Sequence, residues 1–168
     1  MKPIFPVVAL LTVLGAAQAE AATPPAQTFS KPGANDVLTR MFQWWNAAYR
    51  DPKGFTAEAF GRYFTADAVM RINGRASAKG LDDLASHFRM IQQRTQAVEI
   101  KLPFEEAFSS PDGSKIFTYH LIDAVDGGKP SHEMVMGYAS IRDGKIALIN
   151  FASVEPKAAA TQPAQPAQ

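Results

Sequence analysis

The chain has 168 residues, with 17 Lys+Arg against 16 Asp+Glu, 46% hydrophobic residues and no cysteine. A balance this close to neutral excludes the basic footprint of a nucleic-acid partner or of an anionic membrane surface. Without cysteine there is no disulfide, so stability must come from a packed core or from association.

The first segment reads as targeting. Met1-Lys2 is a minimal positive start, Ile4 to Leu14 is an apolar run broken by Pro6 and Thr12, and Ala17-Gln18-Ala19 is a small-x-small cleavage site. Cleavage is expected before Glu20, giving a signal peptide at 1–19 and a periplasmic or secreted chain. The run is shorter than the roughly 20 residues a span requires. No membrane attachment is expected after cleavage, an uncleaved anchor being the other reading. No cysteine follows the run to carry a lipid. Removing Lys2 leaves a formally neutral chain. Residues 20–34, with Pro24, Pro25 and Pro32, read as a linker, and residues 156–168 read as a disordered Pro/Ala/Gln tail. Between them, 35–155 is one domain long enough to bury a core.

Within that domain the elements follow in order. A helix is expected from Asp36 to Arg50, capped by Asn35 or Asp36 and stopped by Asp51-Pro52, with Val37, Leu38, Met41, Phe42, Trp45, Ala48 and Tyr49 at helical spacing. A second helix starts at Thr56, where Phe55 and Phe60 form a hydrophobic staple, and its stripe is read as Ala59, Phe60, Tyr63 and Phe64. A short strand, Val69 to Asn73, ends at Asn73-Gly74. A third helix covers Leu81 to Arg94, with Asp82 and Asp83 in the turn where the helix dipole favours negative charge. Then the period changes to two. Strands are expected at Val98–Phe104, Lys115–Val125, His132–Arg142 and Lys145–Val154, separated by Ser110-Pro111-Asp112-Gly113, Asp126-Gly127-Gly128 and Asp143-Gly144.

In the last strands neither face is polar: Phe117, Tyr119 and Leu121 alternate with Ile116, His120 and Ile122, and Met134, Met136 and Tyr138 with Val135, Ala139 and Ile141. A sheet with one face on water shows a polar face. Helices cover one face here, and a second copy of the chain is the expected cover for the other, giving a homodimer through the sheet.

This order of elements, with Phe64-Thr65-Ala66-Asp67-Ala68-Val69 in the middle and Asp143-Gly144-Lys145-Ile146 before the last strand, resembles the nuclear transport factor 2-like superfamily, particularly its SnoaL-like branch, over Asn35 to Val154. The resemblance implies an α+β fold, a curved antiparallel sheet wrapped around three N-terminal helices (a cone, or cystatin-like roll) with a conical pocket. The superfamily includes ketosteroid isomerase, scytalone dehydratase, limonene epoxide hydrolase and polyketide cyclases, as well as domains that only bind ligands or partners. Ketosteroid isomerase-like members work with a Tyr on the first helix, an Asp base on the strand after the central phrase and a protonated Asp on a late strand. Here Gln43, Ile72 and Met136 or Gly137 stand at those places, so that isomerisation with that machinery is not implied.

Candidate site residues follow from parity and type. His120 interrupts an apolar strand and is expected near Val135 and Ala152, one step from Asn150, either as a working group or as a buried histidine bonded to a neighbour. Glu106 shares parity with Val98 to Phe104; without a bulge it points inward with a raised pKa, as a general acid or base requires, and with one it is exposed. Trp45, Tyr49 and Tyr63 are expected to line the cone, with His87 at the edge of the third helix's apolar stripe. His132 is read as a surface residue near Asp123, Asp67 as a cap or turn, and Arg71 and Arg75 as the arms of a solvated hairpin. No metal is expected, since no His-x-His or His-x-x-x-His spacing occurs. Nor is a cofactor, since there is no phosphate loop or nucleophile elbow. The reading is an exported domain binding an apolar or weakly polar small molecule. The alternatives are a cofactor-free isomerase, dehydratase or cyclase using His120 with Tyr49, Glu106 or Asn150, and a dimeric scaffold without a ligand.

Overall fold

Asp36 opens the first helix, α1 (Val37–Tyr49), by accepting hydrogen bonds from the backbone N–H groups of Leu38 and Thr39 at 2.9 and 3.0 Å. That satisfies two donors a helix start leaves free. The structure, a computed structural model, describes residues 28–33 and 35–155. The segments read as signal peptide and tail, and residues 20–27 and 34 of the segment read as linker, lie outside the described residues. Residues 28–33 run alongside the sheet, where Phe29 packs edge-on to Phe108 at 5.4 Å and Ser30 bridges to Ser109.

Helix α2 (Ala57–Gly61) is capped by the Thr56 hydroxyl, which accepts from Ala59 N–H at 3.1 Å, and the Phe55 and Phe60 rings stack at 5.8 Å as a staple should. It stops at Gly61, a residue type that gives little support to a short helix. Tyr63 and Phe64 therefore leave the expected helical stripe, and Phe64 opens β1 (Phe64–Ile72). This strand is longer than the expected Val69–Asn73 because it pairs in parallel with the last strand of the chain, a partner no local pattern reveals. Asp67 accordingly sits in the strand as an exposed partner of Arg142, not in a cap or turn.

The turn Asn73-Gly74 does not end the sheet. Both residues take positive φ (51° and 77°), as a two-residue hairpin requires, and the chain returns as β2 (Arg75–Lys79). Helix α3 (Leu81–Arg94) spans the expected residues. The single strand expected from Val98 to Phe104 is divided into β3 (Ala97–Ile100) and β4 (Glu106–Ser109). Pro103, after a cis peptide bond, has no N–H to give a ladder. At the break, the Asn46 side chain donates to the Ile100 carbonyl at 2.8 Å and accepts from its N–H at 2.9 Å, which ties the end of β3 to α1.

Three long strands complete the sheet: β5 (Lys115–Asp126), β6 (Lys129–Arg142) and β7 (Lys145–Val154). The order is β2-β1-β7-β6-β5-β3, with β4 on the remaining length of β5. Every pairing is antiparallel except β1 with β7. The result is an α+β fold: three helices against a curved, unclosed seven-stranded sheet. The core sits between them, where Phe42, Trp45, Phe55, Phe60 and Phe64 meet Ile116, Val135, Ile146 and Phe151.

Candidate functional site

Strand parity decides what faces the hollow side. On β5, Thr118, His120, Ile122 and Ala124 share it; across the ladder His120 lies opposite Val135, and Val135 opposite Ser153. Counting from the Asp143-Gly144 hairpin gives Ala152 in place of Ser153. The difference is a register shift between Ser140 and Ile141, an extra residue that moves β7 along by one. Asn150 falls opposite Tyr138, out of phase with the inward Ile149 and Phe151, and does not line the pocket.

The hollow is a cavity of about 570 Å³, within the span usual for small-molecule sites. Phe42 and Trp45 of α1 and Phe88 and Ile91 of α3 form one wall. Ile72, Ile122, Val135, Ile149 and Phe151 of the sheet form the other. Helical spacing places Phe42 and Trp45 one turn apart, and the Asn46 clamp fixes that face toward β3. At the mouth the lining turns polar, with Asp126, Lys129, Ser131, Glu133, Ser153 and Glu155. The Ser153 hydroxyl donates to Glu133.

His120 is the polar group set deepest in this wall, 1% exposed. Its ring lies 5.1, 5.7 and 5.4 Å from the rings of Phe42, Phe104 and Phe151. Its Nδ1 is 3.2 Å from the Thr118 hydroxyl. Burial among these rings pushes its pKa down to about 4 from 6.5, so the imidazole is neutral at physiological pH. The sign of the stability effect follows. Between pH 6.5 and about 4 the unfolded chain binds the proton that the folded one refuses. Stability is therefore full above pH 6.5 and falls by roughly 3 kcal/mol as the pH drops through that window. Urea unfolding of the native chain and of His120→Gln across pH 4–7 checks this: the native slope should exceed the variant's, and equal slopes would contradict it.

The other expected residues are placed as follows. Trp45 lines the cavity; Tyr49 does not, although it stacks on Trp45 at 5.2 Å. The Tyr49 hydroxyl donates to the Thr95 carbonyl at 2.6 Å, and burial raises its pKa. Tyr63 stacks on Trp44 at 5.1 Å, away from the cavity, with Arg62 over its ring. His87 packs edge-on to Phe88 at 5.2 Å, and partial burial lowers its pKa, yet it is not part of the lining. Glu106 is exposed. The irregular run at 101–105 resets parity, and Glu106 pairs with Tyr119, on the face opposite His120. The structure thus brings His120 and Trp45 together at one cavity and leaves Tyr49, Tyr63, His87, Glu106 and Asn150 outside it.

His132 is exposed and bonds Asp123 at 2.7 Å; this bond and Lys101 at 3.0 Å hold the Asp123 carboxyl below the usual range. Arg71 and Arg75 are exposed beside the Asn73-Gly74 hairpin, as read. Among the described residues no group of three or more His, Asp or Glu side chains is placed to hold a metal, and no helix is long and apolar enough to cross a membrane. Glu133 and Ser153 were missed by sequence reasoning. A signal existed for Glu133, which shares parity with Ser131 and Val135.

No family model and no curated protein matches the chain. Solved structures do. An NTF2-like protein of unknown function from Exiguobacterium sp. 255-15 superposes with a TM-score of 0.58 at 21% identity, covering 73% of this chain and 99% of its own. A putative SnoaL-like polyketide cyclase from Jannaschia sp. CCS1 gives 0.54 at 10% identity, over 71% and 83%. A hypothetical protein with a ketosteroid isomerase-like fold from Catenulispora acidiphila DSM 44928, in complex with trimethylamine, gives 0.53 at 14% identity, over 71% and 85%. The chain has the nuclear transport factor 2-like fold.

Within that nuclear transport factor 2-like cone, the residues standing where the resemblance implied the isomerase groups are Gln43, Ile72 and Met136 or Gly137. Gln43 is exposed on α1, Ile72 is an apolar wall residue, and Met136 is 57% exposed on the outer face. At Gly137 an added Cβ would lie 2.2 Å from the Asn150 carbonyl oxygen, so no side chain fits there.

Proposed function

We propose that the chain is an exported domain that holds a small, predominantly apolar molecule in its cone. The observation that carries this reading is the cavity of about 570 Å³, walled by aromatic and aliphatic side chains and supplied with one deeply buried imidazole. A scaffold with its cone filled by its own side chains would leave no such space. A SnoaL-like cyclase, isomerase or dehydratase using His120 with Tyr49, Glu106 or Asn150 has less support, because none of those three partners lines the cavity. Export to the periplasm or medium rests on the apolar run Ile4 to Leu14 and the Ala17-Gln18-Ala19 site. The test is solvent extraction of the natively purified chain followed by mass spectrometry. A stoichiometric small apolar compound is expected; an empty protein that also fails to take up apolar probes would sink the reading.

The partner that best suits the outer face of the sheet is a second copy of the chain. Phe108, Phe117, Tyr119, Met134, Met136 and Tyr138 form a contiguous patch across β4, β5 and β6, with Phe108 42% and Met136 57% exposed. A patch of this kind on an antiparallel sheet favours association. Light scattering at micromolar concentration should return twice the chain mass, and the mass of one chain would remove the dimer.

A further inference from the structure

We propose that Thr118 holds His120 as the Nε2–H tautomer, so that the cavity offers its ligand a hydrogen-bond donor and favours molecules carrying a carbonyl-type oxygen over plain hydrocarbons. This deepens the binding reading above and rests on it.

The argument is one of hydrogen-bond accounting. Thr118 and His120 are 4% and 1% exposed, two residues apart on the inward face of β5, with Oγ1 and Nδ1 3.2 Å apart. Either atom is able to donate, and the surroundings decide which does. The Thr118 hydroxyl has no other hydrogen-bond partner among the described residues. If Nδ1 carried the proton, the hydroxyl hydrogen would be stranded in a dry site, at the full desolvation cost of an unmade bond. If the hydroxyl donates, both atoms are satisfied and the imidazole proton resides on Nε2.

Among the described residues Nε2 makes no hydrogen bond, and it is not one of the sealed buried atoms, so it opens on the cavity that His120 lines. The rings around it, Phe42, Phe104 and Phe151, offer no lone pair. Trp45, on the facing helical wall, has a buried indole Nε1 with no acceptor among the described residues, so acceptors are scarce deep in the cavity on both sides. A ligand oxygen would supply one. An anion is disfavoured, because Asp126, Glu133 and Glu155 stand at the mouth against Lys129. A neutral imidazole in this state polarises a carbonyl and does not act as a base toward it. Thr118 is a positioning residue in this scheme.

The test uses the full chain at neutral pH with two probes of one shape, 2-acetylnaphthalene and 2-ethylnaphthalene, together with long-range proton–nitrogen NMR of the His120 ring. Expected are a protonated Nε2, and about tenfold tighter binding of the ketone, the worth of one net hydrogen bond. In Thr118→Val that preference should shrink to about twofold or less, with both tautomers present. A proton on Nδ1 in the native chain, or equal affinities for the two probes, would overturn the proposal while leaving the binding reading intact. Binding of neither probe would overturn both. The tautomer measurement needs no variant, so it stands even if Thr118→Val fails to fold.

Discussion

Phe60→Ala should lower stability by about 3–5 kcal/mol, a large share of the 5–15 kcal/mol that holds a domain folded. Phe60 is fully buried, and its ring lies 5.0, 5.8, 5.8 and 5.5 Å from those of Trp44, Phe55, Phe64 and Phe88. One side chain thereby joins α1, the Phe55 staple, β1 and α3. Truncation leaves a hole bordered by rigid rings that cannot collapse into it, and it also forfeits the aromatic pair energies. Because Phe88 is shared between this cluster and the cavity wall, the loss should also loosen α3 against the ligand. Urea denaturation checks it: the midpoint should fall with the slope unchanged. A loss below about 1 kcal/mol would mean the helices do not pack around this ring.

Gly137→Ala should cost about 2–4 kcal/mol, through backbone strain and overpacking together. Gly137 has φ +151°, a conformation side chains resist, and a Cβ there would lie 2.2 Å from the Asn150 oxygen and 2.9 Å from Phe151 Cα. Both obstacles are backbone of β7, so relief requires β6 and β7 to part. Phe151, the residue paired with Gly137 across the ladder, packs 5.4 Å from His120. Ligand affinity should therefore fall along with stability, whereas a small substitution at a half-buried position on the outer face of the same strand, Ser140→Ala, should change neither by more than about 0.5 kcal/mol. Denaturation and probe binding on the two variants decide it, and a Gly137→Ala loss no larger than that of the control would contradict the tight crossing.

What the sequence made legible follows the range of the forces involved. Helices α1 and α3 and strands β5 to β7 carry their own signals: a cap at α1, helical apolar stripes, runs of β-branched and aromatic residues, and hairpin turns with the right residues. The β2 strand was hidden because Arg75-Ala76-Ser77-Ala78-Lys79 has no β-branched or aromatic residue, and only its pairing with β1 makes it a strand. The extent of β1 depends on a parallel partner at the far end of the chain.

Site residues obeyed the same rule. His120 and Trp45 were found because parity and helical spacing are local. Asn150 and Glu106 were misplaced because each lies beyond an irregularity, a bulge near Ser140 in one case and the Pro103 break in the other. Alternation cannot be counted through a residue that leaves the ladder. Glu133 was legible from its parity with Val135, and its polar neighbour His132 masked it.

The claim that everything else depends on is that the hollow side of the sheet takes up a small apolar guest. Methyl NMR during titration with 2-acetylnaphthalene addresses it residue by residue. Saturable shifts are predicted for Ile72, Ile91, Val98, Ile122 and Val135, which line the cavity, with Leu121 and Val154 on the outer face unmoved. Shifts confined to Leu121 and Val154, or no saturable shift at any methyl, would contradict the account.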